Sequence, residues 1–250
     1  MFMQRLLQAK WVRFNHIATI FGIFSTILLS YFVWVREGCD PWLPFISDTD
    51  VNPESGIPFT IGLSITGIML TLAFIQIGTL RQNWLEKYET ENRLIFWNKM
   101  STLAGVASGL ATSWIAFTPW HEQTVLHIFQ ASIIFTGAAI WVVIASFVSI
   151  KMSEIDGSFS LILKNRIIAA TISVSSFILM SIHFWMVVGG KGDLSSVESY
   201  LDSVVICTEL ASPILTRAAF FEWLMVFSLG AVLASFIPEI DLLVDENQSN

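Results

Sequence analysis

A chain of 250 residues that is 54% hydrophobic, only 13% charged and has a mean hydropathy of +0.66 lies far from soluble-domain averages. Its formal charge of -7 excludes nucleic acid as an electrostatic partner. The apolar residues fall in six runs long enough to cross a bilayer as helices, at about 14–35, 58–79, 100–118, 124–149, 167–188 and 214–236. The expected fold class is all-α: an integral membrane six-helix bundle forming a single domain over 1–250, with a structured, Pro-rich non-cytosolic loop between helices one and two.

The N-terminal segment carries Arg5, Lys10 and Arg13 beside Trp11 and Phe14, a mixture suited to the headgroup region. With the 80–99 and 151–166 loops, this side holds ten of the thirteen Lys and Arg, so both termini are expected in the cytosol. No cleavage site of small residues follows span one, which is expected to remain as a span. Residues 41–58 then hold four of the chain's seven prolines, at 41, 44, 53 and 58, together with Asp48, Asp50 and Glu54. Prolines fix backbone angles and bar an ordinary helix, so this is a shaped loop. Pro58 is expected in the first turn of span two, where its missing N–H costs nothing. Cys39 and Cys207 both fall on the non-cytosolic side, which permits a disulfide between the first long loop and the last; two free thiols are the alternative.

Span three carries Gly105-x-x-x-Gly109, a face on which another helix can approach closely. The 80–99 segment interleaves charges with Trp84, Tyr88, Phe96 and Trp97, and reads either as a short surface helix or as a solvated connector. Gly189-Gly190-Lys191-Gly192 lacks the rest of a phosphate-binding motif and reads as a turn. The 238–250 stretch, with Glu239, Asp241, Asp245 and Glu246, is expected to be an acidic, disordered cytosolic tail.

Ionisable side chains inside spans are costly, which makes them candidates for function. They are His127, His183, Arg217 and Glu222, all in the non-cytosolic half beneath Asp48 and Glu54. Three roles compete: a polar clamp between His127 and Glu222, a pocket for a lipid headgroup or sterol hydroxyl, and a hydrolytic site. The last lacks H-E-x-x-H, G-x-S-x-G or a Cys/His set with zinc spacing, so no catalytic residue, metal or cofactor is expected.

Pro44-Phe45-Ile46-Ser47-Asp48-Thr49 followed by Pro53-Glu54-Ser55-Gly56-Ile57 resembles the first-loop signature of the DRAM family, the damage-regulated autophagy modulators, and their wider six-span relatives. The likeness continues at Val125-Leu126-His127 with Ala131 and Phe135, at Arg166 and at Glu222-Trp223; Asp50 stands where that family usually has Gly. The resemblance implies cytosolic termini and roles in autophagy or lipid handling at lysosomal, ER or plasma membranes, without a defined catalytic chemistry. The expected function is that of a non-enzymatic protein acting through membrane lipids (phospholipid or sterol) and other membrane proteins, as a regulator or as one subunit of a complex. The alternative is an enzyme or remodelling factor acting on lipid headgroups. A channel or transporter is disfavoured by the few charges within spans and the absence of a repeat.

Overall fold

A computed structural model describes residues 6–188, Cys207 and 213–248, and among these it is helical, with no strands. Its long helices are α1 (Ala9–Arg36), α2 (Pro53–Lys87), α3 (Asn92–Ile115), α4 (Thr124–Ile155), α5 (Ser160–Val188) and α6 (Pro213–Ala234), followed by the shorter α7 (Ile237–Gln248). Five stretches, containing α1, α2, α4, α5 and α6, are long and apolar enough to cross a membrane. The 24-residue α3 is less apolar because Asn92, Arg93, Asn98 and Lys99 occupy its first turns, yet it packs along α2 and α4 as a bundle member.

Consecutive helices lie against one another from α1 to α4 and again from α5 to α6, while the α4–α5 and α1–α6 seams are thinner. Small residues make the close contacts possible. A Cβ added to Gly105 would sit 2.6 Å from the Phe74 ring, and one at Gly109 would sit 2.8 Å from the Thr71 backbone nitrogen. The GxxxG face of span three is therefore the α2–α3 contact.

Several boundaries differ from expectation. α2 has 35 residues, roughly 50 Å at 1.5 Å per residue, and so projects well beyond the hydrocarbon layer. The 80–99 segment is consequently neither a surface helix nor a long connector. It is the end of α2, a tight turn with Glu89 at φ 48°, and the start of α3. α2 also begins earlier, at Pro53, where the Asn52 side chain accepts the Glu54 N–H at 2.9 Å; Pro58 therefore lies inside the helix. The Gly189–Gly192 turn lies outside the described residues.

The 238–250 stretch is the largest departure. Most of it is α7, whose Ile240, Leu243 and Val244 are buried against the bundle and whose Asp241 pairs with Arg13. The anchor is Glu239. Arg81 Nε and Nη2 donate to its two oxygens at 2.6 and 3.0 Å, and Arg166 Nη1 donates to Oε2 as well. The Ser149 hydroxyl takes one bond from each arginine, both 2.6 Å. The carbonyls of Ala145 and Ser235 take two further guanidinium bonds, at 3.1 and 2.8 Å. The Phe236 ring lies 3.8 Å from the Arg166 guanidinium carbon and 4.7 Å from that of Arg81, close enough for cation–π attraction. Arg81, Arg166 and Glu239 are each no more than 2% exposed, and the network joins α2, α4, α5 and α7 with Ser235 and Phe236 of the α6–α7 link.

Candidate functional site

The site forms at the opposite end of the bundle, where the Pro-rich loop folds inward. Ile46–Asp50 is a 3-10 turn, and Asp48 starts it by accepting the Phe45 N–H at 2.8 Å while Thr49 donates to the Ile46 carbonyl at 2.7 Å. Because the turn uses right-handed helical backbone, position 50 has no positive φ, and Asp fits there without strain. Asp50 is nonetheless a costly residue. It is buried, no hydrogen bond reaches Oδ2 among the described residues, and burial pushes its carboxyl up to about 7, with the nearby Glu122 adding to the shift.

Three contacts pin the turn to the helices. The Ile46 N–H donates to Glu222 Oε2 at 2.7 Å, the indole N–H of Trp223 donates to the Pro44 carbonyl at 2.7 Å, and the Tyr31 hydroxyl donates to the Pro41 carbonyl at 2.6 Å. A Cys39–Cys207 disulfide, with Cα atoms 5.4 Å apart, ties the start of the loop to the segment ahead of α6. The adjacent α3–α4 turn is held too: its Thr118 carbonyl accepts from His127 Nδ1 at 2.7 Å and its hydroxyl bonds to Gln130. A carbonyl can only accept, so His127 carries its proton on Nδ1 in the neutral ring and leaves Nε2 as an acceptor.

Beneath this roof lies a cavity of about 390 Å³ that touches all six long helices. Phe45, Ile46 and Ser47 close its top, and its wall is almost wholly apolar, from Phe24, Ile27 and Phe59 near the roof down to Phe74, Trp141 and Leu233. His127 and Trp141, both on α4, mark its upper and lower reach, roughly 20 Å apart at 1.5 Å per residue. Ser132, Thr136 and Trp185 line it and are exposed, which places its mouth at the α4–α5 seam, facing the surrounding membrane.

The candidate residues divide. Asp48, His127 and Glu222 gather at the roofed end, Asp48 as a cap of the turn and the other two on the cavity wall. His127 and Glu222 do not pair with each other; each is bound to backbone, of Thr118 and Ile46 respectively. Glu54 does not join them, since it sits exposed in the first turn of α2. Arg217 is exposed, and with His183, Trp42 and Phe221 it borders a separate shallow hollow on the outside of α5 and α6. His183 donates to its own helix at Leu179 and rests its ring 5.5 Å from Phe221. No group of three or more His, Cys, Asp or Glu suited to a metal occurs among the described residues.

The aromatic and serine lining carries no charge that would mark it in the sequence, and only the small-residue spacing hints at the void. In comparisons with known proteins, no solved structure matches. The chain is similar to DNA damage-regulated autophagy modulator protein 2 of Rattus norvegicus, 26% identical over 136 residues, a match covering 54% of this chain and 50% of the relative. This chain thus aligns with about half the length of that relative. Residues 5–243 match the Frag1/DRAM/Sfk1/Cwh43P N-terminal domain family, and with nearly the whole bundle inside that match, the roofed turn and Glu222-Trp223 included, the chain belongs to that family.

Proposed function

We propose that this protein is a non-enzymatic membrane component that holds a lipid in its central cavity and acts through protein partners in lipid handling or autophagy. The observation that carries the reading is the cavity itself: mainly apolar along its length with scattered hydroxyls, lined by ionisable side chains only beneath the loop, and open sideways at the α4–α5 seam. A water-filled path would need polar lining throughout, whereas an acyl chain or sterol needs this apolar wall. The carboxylates of Asp48 and Glu222 are engaged by backbone amides of the turn, an anchoring use that favours a holding role over catalysis.

The orientation we propose puts the loop outside the cytosol and both termini inside. With the buried Arg81 and Arg166 set aside, Lys10, Arg13, Lys87, Arg93, Lys99, Lys151 and Lys164 still outnumber the bases at the loop end. The disulfide is consistent with an oxidising compartment on that side, as in an endomembrane lumen or at the cell surface. The name of the rat relative speaks of autophagy modulation, and the same field of action for this chain is part of the proposal.

The test is native mass spectrometry of the full chain extracted with its own lipids, beside Ala131→Trp, which places an indole in the cavity. Wild type is expected to retain a lipid-sized adduct that the variant loses while eluting and melting as a folded protein. An empty wild type overturns the reading.

A further inference from the structure

The roofed end of the cavity has a definite hydrogen-bonding character. Glu222 receives the Ile46 N–H on Oε2, and no described residue donates to Oε1. His127 turns its one ring proton to the Thr118 carbonyl, which leaves Nε2 as a bare acceptor. Ser47 adds a hydroxyl. Among the described residues, neither Lys nor Arg lines the cavity. A bare acceptor at His127 Nε2, an unpartnered indole donor at Trp120 Nε1 and the open Oε1 of the Glu222 acid therefore meet the head of any occupant, with no cation to balance a negative charge. An anion brought there would be desolvated without a counter-charge, which is strongly unfavourable. A group carrying its own N–H or O–H would satisfy His127 Nε2, and a hydroxyl oxygen could also accept from Trp120 Nε1.

We infer that the occupant is an amphiphile whose head donates hydrogen bonds and carries no negative charge, with an apolar body lying along α4 toward Trp141. Hydroxyl heads (sterols, ceramides, diacylglycerols) and the ammonium of sphingoid bases share this chemistry. Fatty acids and phospholipids without a donor head are excluded. The inference rests on the lipid-holding reading proposed above, and it adds the head chemistry.

Entry through the α4–α5 seam follows from the exposed Ser132, Thr136 and Trp185 at the mouth. An occupant can slide in from the membrane without lifting the disulfide-tethered roof. Its head then travels upward to Glu222 while its body replaces lipid contacts with contacts to aromatic and aliphatic side chains.

The experiment uses the full-length protein in nanodiscs and three photo-crosslinkable probes of similar length: a sterol with a free hydroxyl, a sphingoid base and a fatty acid. The hydroxyl probe, the amine probe or both should label peptides of α4 and α5, and which one does so identifies the source of the ligand. The fatty acid should label roughly tenfold less, the factor expected for one unfavourable charged contact. Glu222→Gln keeps the Ile46 contact but replaces the acid with a neutral amide, and should narrow that ratio to about twofold or less. Ser47→Ala, which removes a roof hydroxyl but keeps the neighbouring Ile46 N–H that binds Glu222, should weaken labelling by all donor probes in a protein that still elutes and melts as folded. Fatty-acid labelling equal to that of the donor probes, or a ratio unmoved in a folded Glu222→Gln, overturns the head assignment while leaving lipid holding intact. No labelling above Ala131→Trp by any probe removes both.

Discussion

The two ends of this bundle handle buried polar groups in opposite ways. At the end bearing the termini, Arg81, Arg166 and Glu239 are engaged by one another, two serine hydroxyls, two carbonyls and the Phe236 ring. At the loop end, Glu222 and His127 each make one backbone contact and present their remaining acceptor atoms beside a cavity. A saturated network has no capacity left for a ligand and fixes helices in place, whereas an unsaturated one under a roof leaves room for recognition. Charge alone would have ranked the first end as the site. Hydrogen-bond capacity ranks the second.

The strongest break of this contrast is Glu239→Ala. It leaves two guanidinium groups buried without a carboxylate and frees α7 from its anchor, at a cost of about 3–5 kcal/mol. The expected result is loss of folded protein in fluorescence-detected size exclusion, or a large fall in Tm. Glu239→Gln should be milder because it still accepts from both arginines. A Glu239→Ala protein as stable as wild type would mean that the network is ornamental.

Next in size is the tether of the roof. The disulfide links residues 168 apart in sequence, and removing such a bridge typically costs about 2–4 kcal/mol. Cys39→Ser should lower Tm and speed cleavage of the 41–52 loop by added protease, with the termini end unaffected in hydrogen exchange. Uniform loss of protection across both ends would show that the ends are not independent.

Much of this architecture was legible in the sequence. Six apolar runs, the shaped loop and its family signature follow from composition, proline spacing and the Phe45–Thr49 motif, because lipid and proline each impose strict local rules. The disulfide was open between two readings, since pairing depends on distances that a count cannot supply. The acidic 238–250 stretch misled because its charges suggest a solvated tail. Only the structure reveals that Ile240, Leu243 and Val244 share a buried face and that Glu239 meets two arginines. Arg81 and Arg166 look like topogenic charges in the sequence because their partner Glu239 lies far away in the chain. Glu54 and Arg217 share the depth of Asp48, His127 and Glu222 but are exposed, outside the cavity lining. Depth along the membrane does not fix the direction in which each side chain leaves its helix.

Asp50 offers a subtler handle on the loop end. In the unfolded chain its carboxyl titrates near 3.8, and in the folded chain near 7. Between those values the folded protein holds a proton that the unfolded chain has released, so stability falls as pH rises through the window. From pH 5.5 to 6.5 the change is about 1 kcal/mol, slightly below the limit for one fully shifted group. Tm should therefore decline over that interval in wild type and stay level in Asp50→Asn, which also gains stability at pH 7.5. A wild-type profile that is flat or rising would show that the roof does not respond to this group.

The smallest expected effect marks where the cavity site ends. Arg217 is one of the few charges placed in a span by sequence, yet it is exposed beside His183 and Trp42, outside the cavity lining. Glu54 is likewise exposed, at the N-terminus of α2, where an acidic side chain gains only a modest helix-dipole term of about 0.3–1 kcal/mol. Arg217→Ala should change stability by less than about 0.5 kcal/mol, as exposed substitutions usually do. It should also leave probe labelling of the cavity unchanged, because nothing connects its guanidinium to the acceptors of Glu222 and His127 among the described contacts. If Arg217→Ala instead reduced labelling as much as Glu222→Gln, the recognising group would extend across α6 to the outer hollow. The cation excluded from the cavity wall would then be supplied from outside it, and anionic heads would again be admissible.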